Sequence, residues 1–349
     1  MKITKKICFM MLVIVVYLSV FAFNSYAAVG LEGYAVYRDG VGWEAISTWH
    51  AGLMNKAQPN MGSAVVHAVN GDDEKVMYGS WSDFLDGNNF KGVYAPKTAM
   101  TSNQRDLVTA MGERLVDENI IYFLATQLRH SSTVGSGEKI EPDKIISMRC
   151  DGVVEYCYEY YNIRIYGSDQ KWNISINGNQ AHHSLANIKP DTQAEEYMTP
   201  WFNVINVNSN KGLEVINGNL LNGTDVQQWA VSGTGLNHQK WRLDYTLDGD
   251  YFSLIPKHST NQALEITNAS TAENEVFQVW DIPSSGYMNS QKLKLYIYTD
   301  GSIAFRSYPN NYTKVMSVIN SSTANGASVV QTSTPGAANK RWKLVPVAS

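Results

Sequence analysis

The chain has 349 residues, a formal net charge of −4, 44% hydrophobic residues and 17% charged residues, and this length suits two ordinary domains. The composition can bury a core and excludes wholesale disorder, while the mild acidity excludes a basic surface for nucleic acid or an anionic membrane. With 3 cysteines, the chain cannot build a disulfide framework.

The N-terminus has the pattern of a secretory signal peptide. Three lysines among the first six residues precede an apolar run over residues 7–23, and the small residues Ala27 and Ala28 follow it. This order predicts a signal peptide over residues 1–27 and export of the rest of the chain. The protein is then secreted or held at the cell wall, and it meets a membrane only through this transient segment. The alternative is a retained anchor, because the apolar run approaches spanning length.

Two strand-like runs between residues 49 and 69 each carry a histidine. A polar loop with Pro and Gly separates them, so they predict an antiparallel hairpin. If Met54 pairs with Ser63, His50 and His67 lie directly opposite each other on one face, with Cβ atoms about 4.5–5.5 Å apart. A slip by one residue would separate them. A single histidine on such a strand is more often a structural residue, but two at matched positions indicate a site.

Two helices are predicted further along the chain. The first has its N-cap at Thr101 and an apolar face that packs on the sheet. The second begins near Cys150 and carries Cys157 inside its apolar stripe. Because a helix N-terminus stabilises a thiolate, Cys150 is the candidate nucleophile. Cys157 is predicted to be a buried structural thiol.

Three short motifs resemble the NlpC/P60 family of papain-like proteins in its circularly permuted order. They are His50-Ala-Gly-Leu, Val-His67-Ala and Arg-Cys150-Asp-Gly, with Asp151 where many members carry Ser. The resemblance implies an α+β papain-like domain over residues 28–187 and a peptide or amide substrate, with peptidoglycan peptides as the leading class. It also implies that Cys150 attacks a carbonyl carbon, that His50 carries the proton and that His67 orients His50.

Residues 188–197 are polar, contain a proline and are predicted to be a linker. Residues 198–349 then repeat themselves three times, with Glu214, Glu265 and Ser317 at matching positions 51 and 52 residues apart. A period near 50 marks one supersecondary unit that buries its apolar face only against its copies. Each unit reads as about four short strands.

These repeats resemble the ricin B-type lectin domain, a β-trefoil of three Q-x-W repeats. The resemblance implies a sugar pocket in each lobe, built from an acid, a glutamine and an aromatic ring. Such a pocket suits a sugar because a ring packs on C–H groups while carboxylate and amide take the hydroxyls. The third lobe has Ser317 and Thr332 in place of acid and ring and is expected not to bind. The matching residues are Glu214, Gln227 and Trp229 in the first lobe and Glu265, Gln278 and Trp280 in the second.

The sequence therefore predicts a papain-like α+β domain (permuted NlpC/P60) followed by an all-β trefoil. Its predicted function is an exported cysteine amidase or peptidase that is directed to a cell-wall or host glycan, without cofactor, resident metal or nucleic-acid partner. One alternative is a lectin with an inactive papain-like half, and another is a lipid acyltransferase or thioesterase. A zinc site of His50, His67 and Cys150 is a further alternative, because His and Cys are zinc ligands.

Overall fold

The structure is a computed structural model. It describes residues 31–40, 49–55, 64–70, 74–134, 139–166, 188–246, 251–298, 302–333 and 336–347. The predicted signal peptide lies outside the described residues. Within the described ranges, no helix has both the length and the apolar composition needed to cross a bilayer.

The N-terminal region is built on an antiparallel sheet in the order β4-β3-β2-β1-β5-β9. Its side chains alternate between two faces, as strand geometry requires. Ala51 and Leu53 pack against helices, while Met54 and Val65 join the core of the C-terminal half. The strands are β1 (Ala35–Arg38), β2 (His50–Met54), β3 (Val65–Ala68), β4 (Val76–Gly79), β5 (Phe90–Pro96) and β9 (Met198–Thr199).

Four α-helices, two short turns of 3-10 and π-helix (Pro142–Lys144 and Gln193–Tyr197) and a small sheet complete this region among the described residues. The small sheet has β8 between a parallel strand β6 and an antiparallel strand β7. The helix predicted from its N-cap at Thr101 is confirmed, with a capping box between Thr101 and Gln104. The elements are α1 (Trp81–Leu85), α2 (Ser102–Asp117), α3 (Cys150–Glu159), α4 (Pro190–Thr192), β6 (Ile121–Tyr122), β7 (Leu128–His130) and β8 (Ile145–Met148).

The C-terminal region is a barrel with three hairpins. Strands β10, β13, β14, β17, β18 and β21 pair in a closed ring, because β21 bonds both β18 and β10. The hairpins β11–β12, β15–β16 and β19–β20 pair with one another across one end. The strands are β10 (Phe202–Asn206), β11 (Gly212–Val215), β12 (Thr224–Trp229), β13 (Trp241–Thr246), β14 (Tyr251–Pro256), β15 (Gln262–Ile266), β16 (Phe277–Asp281), β17 (Leu293–Ile297), β18 (Ile303–Ser307), β19 (Lys314–Val318), β20 (Ala327–Ser333) and β21 (Trp342–Pro346).

The three repeats account for this architecture, which is that of a β-trefoil. The closing tryptophans Trp241 and Trp342 are fully buried, and each donates its indole N–H to a carbonyl of its own hairpin. An asparagine takes the left-handed conformation at the same point of every repeat, where its short polar side chain is tolerated. These residues are Asn217, Asn268 and Asn320. The sequence prediction of a trefoil-like all-β region is confirmed.

The two halves share a hydrophobic core. The Trp81 ring on α1 lies 6.4 Å from Phe252 of the barrel, and the Tyr34 ring lies 5.5 Å from Phe202. The segment 188–197, predicted to be a linker, forms helical turns in which Gln193 is fully buried. Strand β9 then adds to the N-terminal sheet immediately before the barrel begins. The halves are therefore packed together rather than tethered.

Candidate functional site

The histidine hairpin forms, but with a different register from the predicted one. Met54 pairs with Val65 instead of residue 63, so strand β3 is displaced by two residues. A shift by two preserves the face on which each side chain lies. The two imidazoles therefore meet diagonally, and His50 Nε2 lies 2.9 Å from His67 Nδ1. The predicted contact is present, although the residues are not directly opposed.

Aromatic packing and a glycine position this histidine pair. The Phe84 ring on α1 lies 5.6 Å from the His50 ring and 5.7 Å from the His67 ring. A Cβ at Gly79 would lie 2.6 Å from His67 Nε2, closer than such atoms approach. Gly79 on β4 thus leaves the space that the His67 ring occupies. The pair is buried and rigidly supported.

Cys150 is the first residue of α3, and this helix packs on β2. Its side chain is 4% exposed, and the backbone N–H groups of Ala51 and Asp151 act on the sulfur. Burial, reinforced by the Asp151 charge, raises the pKa of the thiol to about 12, although these N–H groups and Arg149 lower it. The thiolate expected from the helix start is therefore not the resting form, because desolvation outweighs the helix amides.

The structure places the Cys150 helix against the strand that carries His50, without a hydrogen bond from Cys150 to either histidine in the described part of the chain. The sulfur reaches the Ala51 amide, which adjoins His50. The pKa of His50 is well below its ordinary value and that of His67 falls to about 4, in both cases mainly because of burial. Both rings are therefore neutral bases at neutral pH.

The buried carboxylate of Asp151 is paired within the core. Arg149 holds the carboxylate with two bonds of 2.5 and 2.7 Å, and Gln127 donates a third of 2.8 Å. Gly152 permits this arrangement, because a Cβ there would lie 2.1 Å from the Gln127 carbonyl oxygen. The Arg-Cys-Asp-Gly sequence therefore docks the helix start against residues 124–128. Among the described residues, no group of three or more His, Cys, Asp or Glu is arranged to hold a metal ion.

A row of buried carboxylates runs down α3 behind Cys150. Glu159 accepts bonds from the Ile165 and Tyr166 amides and pairs with Arg164 at 2.7 Å. These contacts lower its pKa, but burial and the Glu155 charge one turn away outweigh them and raise it to about 8. The folded chain thus holds a proton that an unfolded chain, with a carboxyl pKa near 4.5, releases.

The extra proton on Glu159 determines the direction in which the free energy of unfolding changes with pH. Because the folded state binds the extra proton, the free energy of unfolding falls as pH rises from about 4.5 to about 8, by on the order of 1 kcal/mol per pH unit. Glu159→Gln should flatten this slope in urea titrations between pH 5 and pH 8. Glu118→Gln, on the exposed end of α2, is the control. An unchanged slope in Glu159→Gln would contradict the assignment.

The first lobe assembles the predicted sugar-site residues. Glu214 is buried at the base, with Oε1 accepting from Gln227 Nε2 at 2.8 Å and Oε2 accepting from Gln239 Nε2 at 2.5 Å. The Trp229 ring is 41% exposed, and a Cβ at Gly326 would lie 3.7 Å from this ring and 3.7 Å from Gln227 Oε1. His238 Nε2 lies 3.8 Å from the same carboxylate. An oriented carboxylate and an exposed ring thus share one pocket.

The second lobe repeats this geometry. Glu265 Oε1 accepts from Gln278 Nε2 at 2.7 Å, and Oε2 accepts from Ser290 Oγ at 3.0 Å. Trp280 is 39% exposed. In the third lobe, Ser317 is buried and its hydroxyl accepts from Asn339 Nδ2 at 3.0 Å. That lobe has neither carboxylate nor ring at these positions.

Sequence reasoning missed two contributions to these pockets. One is Gln239, whose only signal was its place in the closing Gln-x-Trp motif. The other is a wall from a different repeat, since a Cβ at Gly326 would lie 3.7 Å from the Trp229 ring and one at Gly223 would lie 3.6 Å from the Trp280 ring. The recurring Asn-Gly pairs marked turns, but only the threefold arrangement brings each turn to the next lobe's tryptophan.

Residues 168–280 match the family of ricin-type β-trefoil lectin domain-like sequences. No curated protein sequence matches the chain. The C-terminal region is therefore similar to ricin-type β-trefoil lectin domains.

Solved structures similar to the chain include the designed threefold-symmetric protein ThreeFoil, 30% identical over 42% of this chain and 99% of that protein, with a TM-score of 0.38. An exo-β-1,3-galactanase from Clostridium thermocellum is 28% identical over 43% of this chain and 30% of its own, with a TM-score of 0.38. The C-half of an earthworm R-type lectin in complex with GalNAc is 14% identical over 42% of this chain and 98% of that protein, with a TM-score of 0.32. The chain thus spans less than a third of the galactanase.

Proposed function

We propose that the protein binds a glycan through the first two lobes of its trefoil. The observation that carries this proposal is the pairing of an exposed tryptophan with a buried, amide-oriented glutamate in those lobes. Trp229 and Trp280 would pack on sugar C–H groups. Glu214 and Glu265 keep further lone pairs for sugar hydroxyls, because a carboxylate offers about four acceptor sites. The glycan is a cell-wall or host polysaccharide.

Loss of the lobe carboxylate should weaken glycan binding without unfolding the protein. Hydrogen bonds to charged groups contribute about 1.5–3 kcal/mol, so we expect Glu214→Gln to weaken binding at the first lobe roughly tenfold to a hundredfold. Trp229→Ala should act in the same direction. A glycan array identifies the ligand for the parent, and calorimetry with that ligand measures each variant.

The third lobe supplies the control for this experiment. Ser317→Ala changes the position that matches Glu214 in a lobe without carboxylate or ring, and it should leave the affinity unchanged. An intact parent that binds no glycan on the array would remove sugar recognition from the proposed function.

We also propose that the N-terminal half is a cysteine hydrolase of the permuted NlpC/P60 type. The hydrogen-bonded pair of neutral histidines favours it, because the helix that begins at Cys150 packs on the strand that carries His50. When His50 Nε2–H donates to His67 Nδ1, His50 Nδ1 keeps a free lone pair. His50 would take the thiol proton as the sulfur attacks a carbonyl carbon, and would then give it to the leaving amine. Active-site bonds often form only with substrate present.

The substrate class is a cell-wall peptide or another amide close to the bound glycan, and export through the signal peptide would deliver the enzyme there. Acyl transfer from a lipid or a thioester uses the same nucleophile and base and is the second candidate. Selective alkylation of Cys150 over Cys157 by iodoacetamide is the test. A Cys150 that stays inert in the folded protein would leave a glycan-binding protein with an inactive half.

A further inference from the structure

Arg38 lies on the same face of the sheet as the histidine pair. It pairs directly with His50 across β1 and β2, and directly opposed residues have Cβ atoms about 4.5–5.5 Å apart. Its positive charge lowers the pKa of both His50 and His67, and its own pKa responds to Cys150. The guanidinium therefore lies within electrostatic reach of all three candidate catalytic side chains.

The Arg38 side chain is mostly shielded from solvent, and the ionic partner that the described residues offer it, Asp86, is distant and exposed. Its side chain is 12% exposed, and Nη1 donates to the Asp39 carbonyl oxygen at 2.9 Å. The Asp86 carboxylate is 3.9 Å from Nη2, beyond hydrogen-bond distance, and is itself exposed. The Asp39 carboxylate is engaged by Lys91 at 2.9 Å and by Asn89. Arg38 Nε is buried and has no hydrogen-bond partner in the part of the chain that the structure describes.

The Arg38 guanidinium is suited to bind an anion. A guanidinium stays protonated in proteins, and a buried charge is costly unless it is paired. Its planar fork matches the two oxygens of a carboxylate. We propose that Arg38 binds a free carboxylate of the substrate, next to the carbonyl carbon that Cys150 attacks. This inference rests on the proposed hydrolase function and deepens it.

The inference restricts the substrate class. The preferred acyl donor carries a negatively charged carboxylate a few atoms from the scissile bond, and its neutral amide analogue binds more weakly. The guanidinium contributes binding and orientation and takes no part in proton transfer. Arg38 is therefore a specificity residue of the site.

Two alkylating reagents of nearly equal size test this preference. In both, the Cys150 sulfur forms a bond to the CH2 carbon and iodide leaves, but iodoacetate carries a carboxylate and iodoacetamide does not. We expect the ratio of the iodoacetate rate to the iodoacetamide rate to exceed that of free N-acetylcysteine. Arg38→Gln should lower the ratio about tenfold, as expected for a lost charge a few ångströms from the anion. Lys91→Gln, which removes a nearby cation already paired with Asp39, is the control and should leave the ratio unchanged.

A second measurement does not need a reactive thiol. Benzoate should raise the Tm of the parent more than benzamide does at the same ionic strength, and Arg38→Gln should abolish the difference. The inference is overturned if benzoate and benzamide raise the Tm equally and Arg38→Gln leaves the ratio of alkylation rates unchanged. If Cys150 is still reactive in that case, the proposed hydrolase function is not affected. An inert Cys150 with a benzoate effect that depends on Arg38 would support the anion site and overturn the hydrolase. An inert Cys150 without any benzoate effect would overturn both.

Discussion

Replacing His50 by glutamine is expected to lower the rate at which iodoacetamide alkylates Cys150 about a hundredfold at pH 7. The reason is that burial raises the pKa of this thiol to about 12, so a base must take its proton before the sulfur can react. A positioned base contributes about 10²–10⁴-fold in such transfers. Mass spectrometry of the labelled peptides over time gives the rate, with the fully buried Cys157 as an internal reference.

Two further histidine variants sharpen this experiment. His67→Gln keeps a hydrogen-bonding group beside His50. If His67 only orients the base, this variant should lower the alkylation rate of Cys150 less, by about tenfold. His130→Gln changes a histidine on β7 whose ring bonds the Ser131 carbonyl, and it should have no effect. Equal rates in the parent and in His50→Gln would remove His50 from the proposed chemistry, whatever the other variants do.

Replacing Trp81 by alanine is expected to destabilise both halves of the protein at once. Trp81 is 2% exposed, and its ring lies 5.3 Å from Phe90 on the sheet and 6.4 Å from Phe252 in the barrel. Truncating a buried tryptophan costs about 3–5 kcal/mol through lost burial and the cavity left behind. Urea unfolding followed by circular dichroism should show this loss as a lower midpoint of one shared transition.

The same substitution elsewhere in the chain is the matched control. Trp229→Ala removes a ring that stands in the open first-lobe pocket, and surface changes of this kind are usually within about 0.5 kcal/mol. Two separate transitions, with only the N-terminal one shifted by Trp81→Ala, would contradict the shared core. The halves would then be independent domains with a weak contact.

The trefoil could be predicted from the sequence because the same pattern of residues occurs three times along the chain. Glu214, Gln227 and Trp229 have counterparts one period later, and each unit is too small to bury its own apolar face. Three copies therefore have to pack around one axis. The predicted glutamates, glutamines and tryptophans of the first two lobes meet as expected, while Ser317 stands in the third lobe without a carboxylate or ring.

The histidine hairpin shows where pattern reading loses accuracy. Alternation predicts which residues share a face, and His50 and His67 do contact each other. Alternation gives no information on the length of the turn, so the predicted register was wrong by two residues. The error left the contact intact only because strand side chains repeat with a period of two. An error of one would have placed the rings on opposite faces.

The sequence by itself determined the repeat, the trefoil-like half and the residues that could line its pockets, since these follow from local composition and from spacing along the chain. The tertiary structure alone decided the ionisation of Cys150, the burial of Arg38 beside His50 and the turns that wall each sugar pocket. These properties depend on which distant segments exclude water from a group and which supply its hydrogen bonds. The position of Cys150 at a predicted helix start marked a candidate nucleophile, and the packing around its sulfur decided that the resting state is a neutral thiol.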